Sequence, residues 1–585
     1  MDVLICYARR CKFIYAYLSI LGILSSLMAE KAIAQDTLQL PADTPPPVLP
    51  LPQEPAPVRP LPPLEDVLPP PQTSPPGSQL TPEQIPGTVV LKRIEVEGST
   101  VFTEEELAEI LEPYTLRPVT FVELLEVQRA ITQLYVENGY ITSGAFIPPQ
   151  EIEDRVLRVR AIEGSVESIE ITGLERLNSD YVRSRLKIAT DAPLNREKLL
   201  NALQLLQLDP LIANLTAELD PGITPGNSIL SVEIEEANVF NLQLAFDNNR
   251  APSVGTDRFS VGLSQGNLFG FGDRFSLSYS TTEGSDAIND FTYTIPLNPQ
   301  NGTFSFSYLH SDSEIIEEPF DDFNIESTRN SYQATYRQPL YQTPNQEFAL
   351  GFTFTRDESE VEYEPFLDGE VEPFPSRGAE PDGQTKISAL RFSQEYTSRD
   401  LSQVFALRSQ FSFGIDVFDP TTSNIKNVPD SKFFTWRGQA QYLRLLSPET
   451  TLLLRLDTQL ANDPLVPIEQ FSIGGAFTVR GYRQDALLAD NGIFASTELR
   501  TSLVRFSESS VLQLTPFVDV GHVWNTNDVN EFEDTLLSIG VGLRLLISDF
   551  LIARIDYGIP LLDNDDTDET LQENGIHFSI EANLF

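Results

Sequence analysis

Cysteine is almost missing from this chain: there are two, Cys6 and Cys11, both within the first eleven residues. Everything after them lacks disulfides, thiolate metal sites and cysteine-based catalysis. Histidine is nearly as scarce. His310, His522 and His577 are widely separated in the sequence, which gives no zinc-type constellation. Basic residues are also short, 40 Lys and Arg against 85 Asp and Glu, for a formal net charge of −45. Such a chain repels polyanions, which excludes a nucleic-acid-binding role. Beyond the N-terminal segment no run of consecutive apolar residues approaches the about 20 that a helical span needs. The remaining architecture able to cross a bilayer is a closed β-barrel.

What is present begins with an address. Arg9, Arg10 and Lys12 precede a mostly apolar stretch, Phe13 to Met28, and Ala32-Ile33-Ala34 offers a small-residue cleavage site. Residues 1–34 read as an export signal peptide; the apolar stretch is short for a membrane anchor, the other reading of it. Residues 35–87 read as a periplasmic linker. Within 41–86 lie 18 of the 43 prolines, which favour extended backbone and a semi-rigid spacer over a peptide ligand.

From Val89 the pattern changes to two β-α-α-β-β units, expected at 88–164 and 165–237. In the first, VVLKRIEVEG reads as one strand. Leu124, Val127, Ile131 and Leu134 then recur at helical spacing, and Gly139 stands where a helix C-cap is expected. In the second, Leu199, Ala202, Leu203 and Leu206 line one helix face. Neither unit holds a nucleophile, a catalytic carboxylate pair or a histidine, so both read as binding or scaffold modules.

The region 238–585 has period two. Phe240, Leu242, Leu244 and Phe246 alternate with polar or small residues, as do Phe304, Phe306 and Tyr308. A soluble sandwich would place the apolar face inside, whereas a transmembrane barrel turns it toward lipid. Loop lengths separate the two. Sixteen strand candidates are joined by alternately long and short connections. The long ones fall at 312–328, 358–383, 417–430, 462–489 and 560–573, the short ones near 298–301, 397–402, 446–449, 505–508 and 548–549. One rim of tight turns, one of long loops and an even strand count are the pattern of an outer-membrane barrel.

Enzymatic and metal motifs were sought along the chain. GLSQG at 262–266 matches a nucleophile-elbow spacing, but its Ser264 lies in an alternating strand with no helix following. DNDDTDE at 563–569 departs from EF-hand spacing at Thr567, and with the acidic stretch 312–328 it reads as solvated outer loop. The reading calls for no metal, no cofactor and no enzymatic activity.

The stretch FTVRGYRQD at 477–485 stands apart, in a long loop with little acidic charge. Gly474, Gly475 and Gly481 permit left-handed backbone, and a buried Arg480 would need a carboxylate partner. LTPFVDVGHVW supplies one: Phe517, Asp519 and Gly521 share one strand face, opposite Val518 and Val520. If the valines meet lipid, Asp519 faces the lumen, within reach of a loop folded inward. A turn, a ligand clamp and a gate all remain open on this reasoning.

With VRGY at 479–482 and F-x-D-x-G at 517–521, joined by GYITSGAFIPPQ at 139–150 and GNLFGFGD at 266–273, the chain resembles the two-partner secretion transporters (TpsB). These are the hemolysin-activator and filamentous-hemagglutinin transporters, within the wider outer-membrane assembly-factor superfamily. The resemblance covers about residues 88–585. It implies two small α+β POTRA domains in the periplasm followed by a 16-stranded antiparallel transmembrane β-barrel over 238–585, embedded in outer-membrane lipid. It implies secretion of an unfolded partner exoprotein, such as an adhesin, a cytolysin or a heme-acquisition protein, without ATP. The lid-loop motif Val479, Arg480, Gly481 and Tyr482 would fold into the lumen, with Arg480 bonded to Asp519 on a wall that includes Phe517 and Gly521. Glu498 is carried over as a lumen-facing neighbour. A barrel-assembly factor and a passive solute porin are the rival readings. Two features depart from the family pattern. DTLQLPADTPPPVLP leaves little room for an N-terminal plug helix, and Phe578, Ile580, Ala582 and Leu584 run one residue out of step with Phe585, which calls for a bulge or an unusual insertion signal.

Overall fold

The computed structural model describes residues 88–584, apart from 225, 365–370, 375, 426, 508, 527–533 and 563–569. The signal segment, the proline-rich linker, the acidic run 563–569 and Phe585 lie outside the described residues.

The chain starts with β1 (Thr88–Val90) and β2 (Arg93–Glu97), which the sequence reads as one strand. They separate because β1 pairs with β3 (Pro118–Thr120) while β2 runs parallel to β5 (Val156–Ile162). The break at Leu91–Lys92 is filled by the Leu116 and Arg155 backbones. Between them, α1 (Glu104–Leu111) and α2 (Phe121–Glu137) each begin at a threonine capping box, Thr103 with Glu106 and Thr120 with Glu123. These boxes satisfy N–H groups that would otherwise lack partners. Helix α2 stops before Gly139, whose φ of +85° suits a residue without a Cβ. Leu124, Val127 and Ile131 are buried with Tyr135, and Leu134 packs at the edge of that core. β4 (Gly144–Phe146) completes the sheet order β2-β5-β4.

The second unit repeats this plan with β6 (Ser165–Thr172), α3 (Ser179–Lys187), α4 (Arg196–Gln207), β7 (Ile212–Pro221) and β8 (Asn227–Glu236) in the order β6-β8-β7. Leu199, Leu203 and Leu206 form its core with Leu230, Val232 and Ile234. A three-residue link carries the chain into the barrel.

The barrel wall consists of β9 (Phe240–Asp247), β10 (Arg258–Gly266), β11 (Arg274–Thr281), β12 (Ser285–Pro296), β13 (Thr303–Glu314), β14 (Glu326–Gln342) and β15 (Gln346–Tyr363). After the two-residue β16 (Glu372–Pro373) follow β17 (Gln384–Arg399), β18 (Gln403–Gly414), β19 (Phe434–Ser447) and β20 (Thr450–Ala461). A loop ribbon of β21 (Phe471–Ile473) and β22 (Leu487–Ala489) precedes β23 (Asn491–Ser507), β24 (Ser510–Trp524), β25 (Thr535–Ile547), β26 (Leu551–Pro560) and β27 (Ile576–Asn583). β15 pairs directly with β17, β16 pairs with Glu362 and Tyr363 at the outer end of β15, and β27 pairs with β9 to close sixteen antiparallel strands. Closure pairs the edges of the sheet. β27 meets both neighbours without a register shift, so the expected bulge is not seen among the described residues.

The apolar alternation faces outward. Phe246, Phe259, Phe352 and Ile555 are 42–55% exposed, members of a belt that lipid covers. The short-turn rim is the one against the second POTRA unit. Asn178 donates its backbone N–H to Gly270 O at 2.7 Å, and Arg185 Nε reaches Asn301 Oδ1 at 3.0 Å. The Tyr181 ring lies where a Cβ on Gly272 would come within 2.2 Å. The Arg185 guanidinium stacks over that ring at 3.5 Å. The turn rim is therefore periplasmic, and the long loops are external.

Candidate functional site

The sixth outer loop, 462–490, folds into the barrel. Its base is held by an apolar cluster of Leu465, Val466 and Ile468 with Phe433, Ile387 and Ala389 of the wall. Arg391 of β17 grips Glu469 with two hydrogen bonds, at 2.6 and 3.1 Å. The buried Asp490 carboxylate accepts the Leu465 N–H at 2.9 Å and the Thr526 N–H at 3.0 Å, fixing both ends of the loop. Inside, Phe471 pairs with Ala489 and Ile473 with Leu487 in a short two-stranded ribbon. Phe471, Ile473, Val479 and Tyr482 pack against Phe494, Val523 and Leu536 of the wall.

At the tip, Arg480 is fully buried. Its Nε donates to Asp519 Oδ2 at 2.7 Å and its Nη2 to Asp519 Oδ1 at 2.9 Å, a bidentate fork. Nη1 donates to Glu498 Oε2 at 2.5 Å. The guanidinium lies 3.5 Å above the centre of the Phe517 ring. Ser496 donates to Asp519 Oδ1 at 2.6 Å.

Three further charges complete the cluster, and the sequence reading missed all of them. Arg500 donates to Glu498 Oε1 at 2.8 Å and Arg554 to Glu498 Oε2 at 2.6 Å. Arg554 also pairs with Asp556, whose carboxylate stands 3.8 Å from Arg480. Three guanidiniums thus face three carboxylates, and a fourth, Arg455 of β20, stands beside them, donating to Ser496 Oγ at 3.3 Å and to the Phe477 carbonyl at 3.2 Å. The cluster therefore holds one guanidinium more than it has carboxylates. A signal existed for them. TELR and ARID each place two opposite charges two apart on a strand, on the face away from lipid.

The glycines explain the closeness of the fit. Gly481 adopts φ +99° and donates its N–H to His577 Nε2 at 3.2 Å. It lies backbone to backbone on Gly558 of β26, where a Cβ would stand 2.6 Å from Gly481 N. Gly521 faces Ile473 and Val479, and a Cβ there would come within 3.0 Å of both. Tyr482 bonds the Leu537 and Leu562 carbonyls, each at 3.0 Å. Arg483 reaches outward to Glu573 and Glu317 on two other external loops.

Every residue singled out in the sequence around VRGY and F-x-D-x-G thus meets in one place, joined by Glu498. His577, scattered by sequence, lies under the loop. His310 and His522 do not, and Ser264 sits in β10 with none of the three histidines as a hydrogen-bond partner among the described contacts. Each carboxylate of the cluster is engaged by a guanidinium, so the arrangement holds the loop in place.

A family model described as haemolysin secretion/activation protein ShlB/FhaC/HecB matches residues 226–545. One described as POTRA domain, ShlB-type, matches residues 89–164. Over 480 residues the chain is 22% identical to the outer membrane transporter CdiB of Dickeya dadantii (strain 3937), covering 80% of this chain and 82% of that one. Over 475 residues it is 23% identical to the heme/hemopexin transporter protein HuxB of Haemophilus influenzae (strain 86-028NP), covering 79% and 81%. Among solved structures, CdiB from Escherichia coli superposes with a TM-score of 0.66 at 21% identity, over 89% of this chain and 94% of that chain, a likeness of fold.

Proposed function

The chain belongs to the haemolysin secretion/activation protein family ShlB/FhaC/HecB, a family of outer-membrane transporters, and on that premise we propose that it exports an unfolded partner protein. The partner is recognised in the periplasm by the POTRA domains and passes through the barrel to the cell surface without ATP. The observation that carries this reading is the pairing of two features. Two small binding modules run into the first barrel strand through three residues, and a polar loop anchored by Arg480 occupies the lumen they lead to.

Recognition has a physical route. In the sheet order β6-β8-β7, β6 is an edge strand paired on one side by β8, and β2 is the corresponding edge of the first domain. Their free N–H and C=O groups can accept an added strand from the partner's N-terminal secretion domain. The Val479–Tyr482 motif acts as the gate, with Arg480 latched to Asp519 and Glu498. The relative named for heme/hemopexin transport, and a hemolysin transporter protein of Proteus mirabilis that is 28% identical over 227 residues, support a secreted cargo of the heme-acquisition or cytolysin kind.

The test is deletion of residues 88–164 followed by parallel measurements of partner secretion and single-channel conductance. Secretion should be lost while the channel still conducts. Secretion unchanged by the deletion would overturn the recognition role, and loss of conductance would make these domains part of the pore wall. A barrel-assembly factor is distinguished by depletion of this protein, which would then lower the amount of other outer-membrane barrels.

A further inference from the structure

The barrel lumen has two unlike walls. On β23 and β24 the inward side chains are sealed beneath the folded loop: Ser496, Glu498, Thr515 and Asp519 are at most 4% exposed. Within the wall the loop's ion pairs and hydrogen bonds run to β17, β20 and β23–β27, through Arg391, Gln459, Ser496, Asp519, Leu537, Asp556 and His577. Beyond it Arg483 reaches Glu317 on the external loop after β13. On the facing side, β10–β13, most inward residues stay open, whereas Ser280 near the outer end is buried. Ser260, Ser278, Thr292, Thr294, Ser305 and Ser307 are all partly exposed to the interior.

The chemistry differs as sharply. Inward positions on β10 read Ser260, Gly262, Ser264, and on β11 Ser276, Ser278, Ser280. Neighbouring hydroxyls bond across strands, Thr292 to Ser307 and Thr294 to Ser305, each at 2.8 Å. The charges on this wall are few. Arg258 is paired with Asp247 at 3.1 Å, the Asp290 carboxylate accepts from Ser276 at 2.6 Å, and Arg274 stands at the periplasmic end.

We propose that the exported chain travels along this hydroxyl wall, opposite the gate loop, and that the wall fits an extended polypeptide rich in uncharged polar side chains. The inference rests on the reading of the barrel as a polypeptide conduit. A hydroxyl both donates and accepts, so a sliding backbone finds a partner at any register. None of these contacts is a charge-assisted bond that would hold one position. The exit sorts by charge as well. The stretch 312–328 carries seven acidic residues and no Lys or Arg, which repels an acidic chain and retains a basic one.

The test uses the protein without residues 1–34, and so without Cys6 and Cys11, in a planar bilayer, with single thiols introduced as Ser278→Cys, Ser305→Cys and Thr515→Cys. Polypeptides of about 40 residues, long enough when extended to cross the bilayer, are added on the POTRA side. Three are compared: a Ser-Gly-Asn repeat, poly-glutamate and poly-lysine. The neutral repeat should give the most frequent transient current blockades. A bulky membrane-impermeant thiol reagent should label Ser278→Cys and Ser305→Cys and cut that frequency by about tenfold, while Thr515→Cys stays unlabelled and unchanged. Blockade by the neutral repeat that survives labelling of both open-wall thiols overturns the track and leaves the conduit standing. Preferential entry of a charged probe does the same. A conducting channel that no polypeptide blocks overturns conduit and track together.

Discussion

In β8 of the second POTRA domain Leu230, Val232 and Ile234 point inward and are 0–2% exposed. In β24 of the barrel the inward residues are Phe517, Asp519 and Gly521, and the valines between them face out. Both strands alternate with period two, yet one interior is hydrocarbon and the other an ion-pair network. The POTRA domain has water outside, so burial of apolar area drives its core together. The barrel has lipid outside, so its apolar residues are satisfied there and the interior is free to be polar. The cost of that freedom is that every buried charge must be matched, because an unmatched one is expensive in a dry interior.

Breaking the polar interior should have the largest effect. Arg480→Ala leaves Asp519 and Glu498 without the guanidinium between them, a loss of about 3–5 kcal/mol at the loop. Secretion should collapse while the protein still inserts, as read by heat-shifted mobility on a gel. Asp519→Ala should match it, and the double variant should be no worse than either single, since both remove one coupled unit. Additive defects would show that the two residues act separately.

The apolar interior should fail locally. Leu203→Ala, at a fully buried position of α4, should lower the stability of the second POTRA domain by about 2–5 kcal/mol. Limited proteolysis would then cut within 165–237 while the barrel keeps its heat-shifted mobility. Barrel unfolding in step with the domain would mean that the two interiors are one cooperative unit.

The smallest effect concerns the surface of the first domain, outside both interiors. The exposed Glu123 carboxyl is held down to about 2, first by the Thr120 backbone N–H and then by the Arg117 side chain. A carboxyl lower in the folded than in the unfolded state stabilises fully above its unfolded value of 4.5 and loses that contribution as pH falls toward 2. Glu123→Gln should therefore be less protease-resistant than the wild type at about pH 6 and equal to it near the folded value of the carboxyl. A gap that persists unchanged to low pH would remove the titration argument.

Much of this was readable in advance, though unevenly. Helix α4 declared itself through Leu199, Leu203 and Leu206, and the barrel through aromatic alternation with long and short connections. Arg480 and Asp519 stood out as a charge in a glycine-bearing loop and a charge on a valine-flanked strand. Arg500, Arg554, Asp556, His577 and Gly558 did not, because they lie on β23, β26 and β27 and nothing in their neighbouring residues names the loop they meet. The split of β1 from β2 was hidden too, since VVLKRIEVEG holds no Gly, Pro or Asn before Gly98 to mark a break and only the partner strands differ.

Local pattern and composition by themselves determined that this chain is an acidic protein, without cysteine beyond Cys11, with two mixed modules and a sixteen-stranded wall. Period two, helical spacing and turn residues are properties of neighbouring residues, so the sequence records them directly. Tertiary structure alone decided which charges surround Arg480, which wall the loop seals and which wall it leaves open. Those depend on barrel closure, which brings β23, β24 and β26 around one guanidinium and β27 against the glycine beside it, the last from 96 residues away in the chain.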